Sequence, residues 1–204
     1  MTQVEPELSA IELMLATNYQ PFTQEGWIFE FKWDGYRVLA SKNQLLTRNK
    51  KNATKRYPEL MEPLAALRGS FILDGEVCLL DEKGLPRFED MRARILRKRG
   101  GDAVNYFAFD LLFHNGRDLR ALPLIERKAK LRKLIPRDHP RLTFVDHIET
   151  EGEFLFKHAV QIGMEGVMGK RANSPYIAGR TLEWRKAKRA GHHDGWERPL
   201  NRSG

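Results

Sequence analysis

Residues 29–40 read FEFKWDGYRVLA, and how this stretch is read decides the fold. Alternation in the preceding overlap, WIFEFK at 27–32, follows the strand period. It puts Trp27, Phe29 and Phe31 on one face and Ile28, Glu30 and Lys32 on the other. The Asp34-Gly35 pair that follows is a strong hairpin signal between alternating apolar residues. Two readings therefore stand side by side. Lys32 is a solvated lysine at a strand end before a hairpin, or its amine is a nucleophile held at the end of a half-buried strand.

Working outward, YRVLA (36–40) and NQLLTRN (43–49) read as two further strands around a turn at Ser41–Asn43. A short helix is expected near residues 6–15. RYPELMEPLAALRG (56–69) has Leu60, Leu64 and Leu67 at helical spacing, with Gly69 as a stop. FILDGEVCLLD (71–81) is a strand, with a turn at Glu82–Pro86. FEDMRARILRKRG (88–100) is a basic helix, and NYFAFDLLF (105–113) is a strand rich in aromatic rings. LPLIERKAKLRKLI (122–135) is an amphipathic helix with Pro123 near its first turn. LTFVDHI (142–148), EGEFLFKHAVQIG (151–163), EGVMGKR (165–171) and TLEWRKAK (181–188) complete a strand, helix, strand, strand series. Residues 1–188 are expected to form one domain and 189–204 a polar tail. Hairpins interleave with helices without a regular βαβ alternation, so the class is α+β.

Composition narrows the function. The chain has 204 residues, one cysteine and a formal charge of +8, a balance that favours a polyanionic partner. No apolar run approaches the ~20 residues that span a bilayer, and the opening MTQVEPELSA lacks an apolar signal core. A lone Cys78 leaves no intrachain disulfide and fits a reducing cytoplasm. Six histidines without ligand spacing give no zinc site.

The informative anomaly is the placing of charge on apolar strands. Asp74 and Glu76 share a face with Ile72 and Cys78, where carboxylates need cations or water; an Asp-Gly turn with exposed acids is the other reading. Trp184, Lys186 and Lys188 share a face, so two ammonium groups point the same way, as on a solvated edge strand or against a polyphosphate. Glu165 and Lys170 are an odd number of residues apart, and an ideal strand would send them to opposite faces. Gly166 and Gly169 would have to bend the chain for both to reach one site. Of the aromatic residues in 106–113, one is available to stack on a nucleobase.

In order along the chain, Lys32-Trp-Asp34-Gly35-Tyr-Arg37, Thr-Arg48-Asn, Leu-Asp74-Gly-Glu76, Phe-Ala-Phe109-Asp110, Glu165-Gly-Val-Met-Gly-Lys170 and Trp184-Arg-Lys186-Ala-Lys188 resemble the nucleotidyltransferase motif series. The chain is similar to the adenylation domain of ATP-dependent DNA ligases, especially the bacterial repair type. The resemblance implies a nucleotidyltransferase (ATP-grasp-like) core of antiparallel sheets flanked by helices, with ATP in the groove between them. It implies that Lys32 attacks the α-phosphorus of ATP to form a lysyl–AMP. Glu30 would sit at the adenine edge, Arg37 on the ribose and Phe109 against the base. Asp34, Glu76 and Glu165 would serve Mg²⁺, and Lys186 and Lys188 the phosphates. Lys170 would join the nucleotide contacts, and Arg48 would bind the 5′-phosphate at a nick. A lysine of ordinary pKa about 10.4 must lose its proton to act; the apolar face and the cations Arg37, Lys186 and Lys188 are expected to lower it.

The partner implied is nicked double-stranded DNA, and the location the bacterial cytoplasm, at the nucleoid. Ligases of this family continue after the lysine pair into an OB-fold domain. Only residues 189–204 follow Lys188 here, so the chain is read either as an isolated catalytic module or as one whose OB-fold, or a repair protein, comes from another chain. An RNA ligase, a capping enzyme or a nick-recognising module without activity are the alternatives.

Overall fold

A computed structural model describes residues 4–97 and 103–191. Two twisted sheets face each other, and the residues of the FEFKWDGYRVLA stretch belong to both. Strand β2 (Trp27–Phe31) lies in a five-stranded sheet with β1 (Met14–Asn18), β9 (Ile148–Glu149), β10 (Gly166–Arg171) and β11 (Gly179–Lys188), in the order β1-β11-β10-β2-β9. Strand β3 (Tyr36–Ala40) lies in the other sheet, where β4 (Leu45–Thr47), β3, β5 (Phe71–Cys78), β6 (Asn105–His114) and β7 (Arg117–Asp118) run in that order. Strand β8 (Leu142–Phe144) pairs with β6.

Lys32–Gly35 is therefore a crossing between sheets, and of the two readings the hairpin is ruled out. Its glycine serves close approach: a Cβ at Gly35 would stand 2.2 Å from the Val77 carbonyl oxygen and 2.7 Å from Cys78 Sγ. The second Asp-Gly, Asp74-Gly75, is no turn either. It lies inside β5, opposite a bulge in β6, because Gly75 pairs with Ala108 and Asp74 with Asp110, skipping Phe109.

Most strand pairs are antiparallel, but β1 with β11 and β6 with β8 are parallel, so the sheets are mixed rather than purely antiparallel. The helix expected near residues 6–15 is a single 3₁₀ turn at Leu8–Ala10, followed by β1. Leu8, Ile11 and Met14 are drawn into the apolar seam between the sheets, beside Leu39, Ile72 and Phe113. Burial against two sheets overrides the helical propensity of so short a segment.

Helix α1 (Met61–Ala66) turns Leu64 into a core that includes Val38, Leu73 and Tyr106 of the second sheet. Helix α2 (Phe88–Arg97) adds Met91 to the same core, and α3 (Leu124–Leu134) adds Leu131. Helix α4 (Gly152–Ile162) covers the outer face of the first sheet, packing Leu155 and Ala159 on Trp27, Phe29 and Val167. The last residues of the basic helix and the polar tail expected over 189–204 lie outside the described residues, save Arg189–Gly191. Among the described residues, no helix is long and apolar enough to cross a membrane.

Candidate active site

A cleft of about 1550 Å³ opens between the two sheets. Glu30, Lys32, Asp34, Arg37, Arg48 and Glu76 line it, and Phe109, Glu165, Lys170 and Lys186 join them from the other strands. Of the residues assigned to the site from the sequence, Lys188 is set behind this lining, where its Nζ lies 3.1 Å from Glu165 Oε1. The inner face of β2 explains the convergence. Trp27 and Phe29 point out to α4, so Glu30 and the following Lys32 point in.

Lys32 donates a hydrogen bond from Nζ to Glu165 Oε2. Its side chain keeps 17% of its surface exposed, against 2% for Glu165, so the amine is held yet open to the cleft. Burial would push the Lys32 ammonium down. The Glu165 carboxylate, with Glu76 and Asp34 behind it, outweighs burial and raises the group above its ordinary value. The expected lowering by Arg37, Lys186 and Lys188 is thus reversed. Carboxylates, rather than cations, are the charges that reach the amine, and Lys188 spends its charge on Glu165. Burial pushes the Glu76 carboxyl up to about 8, against the pull of Lys32 and Arg37.

Glu165 and Lys170 both face the cleft despite their odd spacing. Glu165 precedes β10, whose first residue, Gly166, has φ +156° and sits where a Cβ would come within 2.0 Å of the Ala187 carbonyl oxygen. The chain bends there and strand alternation begins only afterwards. Lys170 Nζ then donates to Glu30 Oε2 at 2.6 Å and lies 4.4 Å from the ring centroids of both Phe109 and Trp184. Lys128 donates to Glu30 Oε1 at 2.5 Å and to the Val145 carbonyl at 2.7 Å. Burial pushes the Glu30 carboxyl up, but these two ammonium groups outweigh it and hold the group below its ordinary value.

Arg37 is fixed on the facing sheet. Its Nε and Nη2 donate to Asp74 Oδ1 and Oδ2 at 2.9 and 2.6 Å, so the buried acid of the second Asp-Gly has the cation it needs. The bulge in β6 lifts Phe109 out of the alternation of its neighbours and leaves it partly exposed on the cleft. Trp184 meets that ring edge-on, at 6.0 Å between centroids and 80° between planes. Arg48 follows β4 at the rim, its backbone N–H bonded to the Arg37 carbonyl at 3.2 Å. Lys186 and Trp184 share one face of β11, as the alternation required.

Sequence reading passed over several groups that build the site. Lys128 lies at helical spacing from Leu124 and Leu131, on the apolar stripe of α3, and a charge on such a stripe was the available signal. Its neighbour Arg127 forms a fully buried bidentate pair with Asp110, both bonds 2.8 Å long. One helix thus clamps β2 through Lys128 and β6 through Arg127. Trp33 stacks on Phe107 at 3.6 Å between centroids and pins the crossing segment between Lys32 and Asp34.

Among the described residues, no group of three or more His, Cys, Asp or Glu side chains stands close enough to hold a metal ion alone. The acids acting on Lys32 do fit a cation that keeps most of its ligands as water and substrate phosphate, bound through one or two carboxylates. That is the habit of Mg²⁺.

Comparison with known proteins bears on this geometry. Residues 9–188 match the family model described as the ATP dependent DNA ligase domain. The multifunctional non-homologous end joining protein LigD of Pseudomonas aeruginosa is 38% identical over 190 residues, which is 90% of this chain and 22% of that protein. The SPbeta prophage-derived DNA ligase-like protein LigB of Bacillus subtilis is 35% identical over 179 residues, 85% of this chain and 65% of that protein. A solved mycobacterial DNA ligase D, complexed with ATP and MES, superposes with a TM-score of 0.76 at 34% identity, covering 89% of this chain and 61% of the other. The chain therefore spans less than two thirds of the length of these relatives. A family match over residues 9–188, around a cleft that holds the motif residues together, leaves one assignment: this chain belongs to the ATP-dependent DNA ligases, as their adenylation domain.

Proposed function

We propose that the chain transfers AMP from ATP to its own Lys32 and then to the 5′-phosphate at a nick in double-stranded DNA, as the catalytic part of strand joining. The observation that carries this reading is the placing of Lys32, an open amine at the floor of an intersheet cleft with its proton hydrogen-bonded to Glu165.

In the first step Lys32 Nζ attacks the α-phosphorus. An N–P bond forms, the bond to the bridging oxygen breaks, and pyrophosphate leaves with that electron pair. Before that attack Nζ, held as an ammonium by the nearby carboxylates, gives one proton along the existing hydrogen bond to Glu165 and so frees its lone pair; the second proton, lost as the N–P bond forms, leaves with the pyrophosphate or to solvent. Glu76, Glu165 and Asp34 are the acids that would hold Mg²⁺, which when bound supplies positive charge against the phosphates and the departing pyrophosphate. Phe109 offers a ring face to the base, with Lys170 and Trp184 fixing its position. Glu30, locked by two lysines, presents a fixed acceptor at the base edge and is the group we assign to purine choice. Arg37 meets the ribose, Lys186 the phosphates and Arg48 the 5′-phosphate of the nick, while Lys188 adds positive charge from behind Glu165. Positioning and charge neutralisation carry most of the rate.

The names of the relatives support DNA end joining as the setting, and on this reading the work is done in the bacterial cytoplasm. The family resemblance also implies an OB-fold that closes over ATP and DNA. On this reading that body is supplied in trans or elsewhere on the same polypeptide.

The test is incubation with Mg²⁺ and α-labelled ATP or GTP, followed by addition of nicked duplex. Acid-labile label on the protein from ATP alone, discharged onto the DNA 5′ end, is the expected result. Label from GTP in preference, or label discharged onto RNA alone, would overturn the assignment of substrate.

A further inference from the structure

Tyr176 lies in the connection between β10 and β11, carries no role in the chemistry above and does not line the cleft. It is nonetheless buried against the one guanidinium that the cleft presents to a ribose. The Tyr176 hydroxyl donates to Asp74 Oδ2 at 2.7 Å and accepts from Arg37 Nη2 at 3.3 Å. Asp74 takes the Nε and Nη2 edge of Arg37 in the bidentate pair already described. Arg37 is thus gripped along one edge by three bonds, and Nη1 is the nitrogen that no described residue occupies. It is left to a ligand in the cleft.

The phenol ring is fixed from other directions. Trp184 meets it edge-on at 5.8 Å and 87°, the Arg127 guanidinium lies 5.9 Å from its centroid, and its backbone N–H donates to the Arg120 carbonyl at 2.8 Å. The hydroxyl bridges the sheets. Tyr176 is carried by the connection between the strands that bring Lys170, Lys186 and Lys188, whereas Asp74 and Arg37 stand on the opposing sheet. A phenol that only filled space at this point would leave Asp74 Oδ2 and Arg37 Nη2 to each other.

We propose that Tyr176 is a positioning residue for ribose recognition: with Asp74 it sets the rotamer of Arg37 so that Nη1 meets a nucleotide sugar hydroxyl, and it keys that contact to the sheet bearing the phosphate-binding lysines. The inference rests on the adenylyl-transfer reading. It assigns a residue that touches no substrate to the discrimination between ATP and 2′- or 3′-deoxy-ATP.

The experiment compares self-adenylation of the wild-type chain, Tyr176→Phe and Arg37→Lys with ATP and with each deoxy analogue. Wild-type protein must first take label from ATP; if it takes none, the adenylyl-transfer reading fails and the present one falls with it. Given labelling, Tyr176→Phe is expected to raise the KM for ATP about threefold to tenfold, the part of that lost hydrogen bond which reaches the nucleotide through Arg37. Its maximal rate should stay within about twofold, since the reacting atoms are untouched. The preference for ATP over one of the two deoxy analogues should shrink by a similar factor. Tyr176→Phe added to Arg37→Lys should cost little more, because the hydroxyl acts through the guanidinium. An unchanged preference with both analogues, or a fall in rate that is equal for all nucleotides, would overturn the proposal and leave Tyr176 with a packing role. Thermal unfolding of the same variants distinguishes that second case from loss of fold.

Discussion

At the scale of single residues, charge pairing across the cleft decides more than strand alternation does. Glu30 receives two buried ammonium groups, from Lys128 and Lys170. Removing its charge leaves two buried lysines without the carboxylate that both of them bond. Glu30→Gln is expected to cost about 3–5 kcal/mol of stability at neutral pH, the usual penalty of breaking a buried pair, measured by urea unfolding. The sign of the pH dependence follows from the lowered pKa of Glu30 in the folded protein. Its contribution is fully present above the ordinary carboxylate value and is lost as pH falls through the lowered folded value. The gap between wild type and Glu30→Gln should therefore narrow in melts taken below pH 4. A gap that stays constant down to acid unfolding would contradict the pairing. Glu30 and Lys32 were legible in the sequence because a strand period put them on one face. Their partners were not, since Lys128 is 98 positions and Glu165 133 positions away along the chain. That distance also hid the direction of the shift on Lys32: the sequence showed cations near it in order, whereas folding brings carboxylates near it in space.

Elements were read well where one face is solvated, and poorly where two sheets share a chain segment. Both Asp-Gly pairs carry the local mark of a hairpin turn, and neither is one. At Asp34-Gly35 the chain passes between sheets, and at Asp74-Gly75 it runs through mid-strand beside a bulge. The conflict of Gly35 with a backbone carbonyl of β5 gives a prediction for this crossing. Gly35→Ala should destabilise by about 1–3 kcal/mol, as overpacking against a rigid wall does, and should displace Lys32. Both unfolding and labelling would register it, and an Ala variant with wild-type stability would show that β5 gives way. The bulge in β6 gives another. Strand alternation counted through residues 105–113 fails at Phe109, where one extra residue turns the ring to the cleft. Phe109→Ala should weaken ATP binding by about tenfold, within the range of one lost base–aromatic stack, while leaving the sheet pairing intact. Calorimetric titration with ATP checks this, and an unchanged Kd would remove Phe109 from the base site. The helical stripe of α3 was legible, and Lys128 on it was a local anomaly, but the partners of Arg127 and Lys128 were not, because Asp110 and Glu30 stand on other strands.

Across the whole molecule, the family motifs fixed the architecture that composition and period could only bound as α+β. Two sheets with a charged cleft between them are what the motif order implied, and the order of strands in each sheet was beyond reach of a single sequence. The formal charge of +8 has a visible counterpart in Arg48, Arg56, Arg92, Arg180 and Arg189 along the cleft. DNA affinity should accordingly fall steeply with salt, and Arg56→Ala should reduce the slope of log K against log salt by about 1, as for one phosphate contact. A slope unaltered by that change would take Arg56 out of the track. The central claim remains the chemistry at Lys32. Intact-mass measurement after incubation with ATP and Mg²⁺, with peptide mapping of the adduct, tests it most directly. The account predicts a single added AMP on Lys32, none on Lys32→Ala, and folding of that variant unimpaired by unfolding measurements. An AMP adduct that persists in Lys32→Ala, or that maps to another lysine, would contradict it.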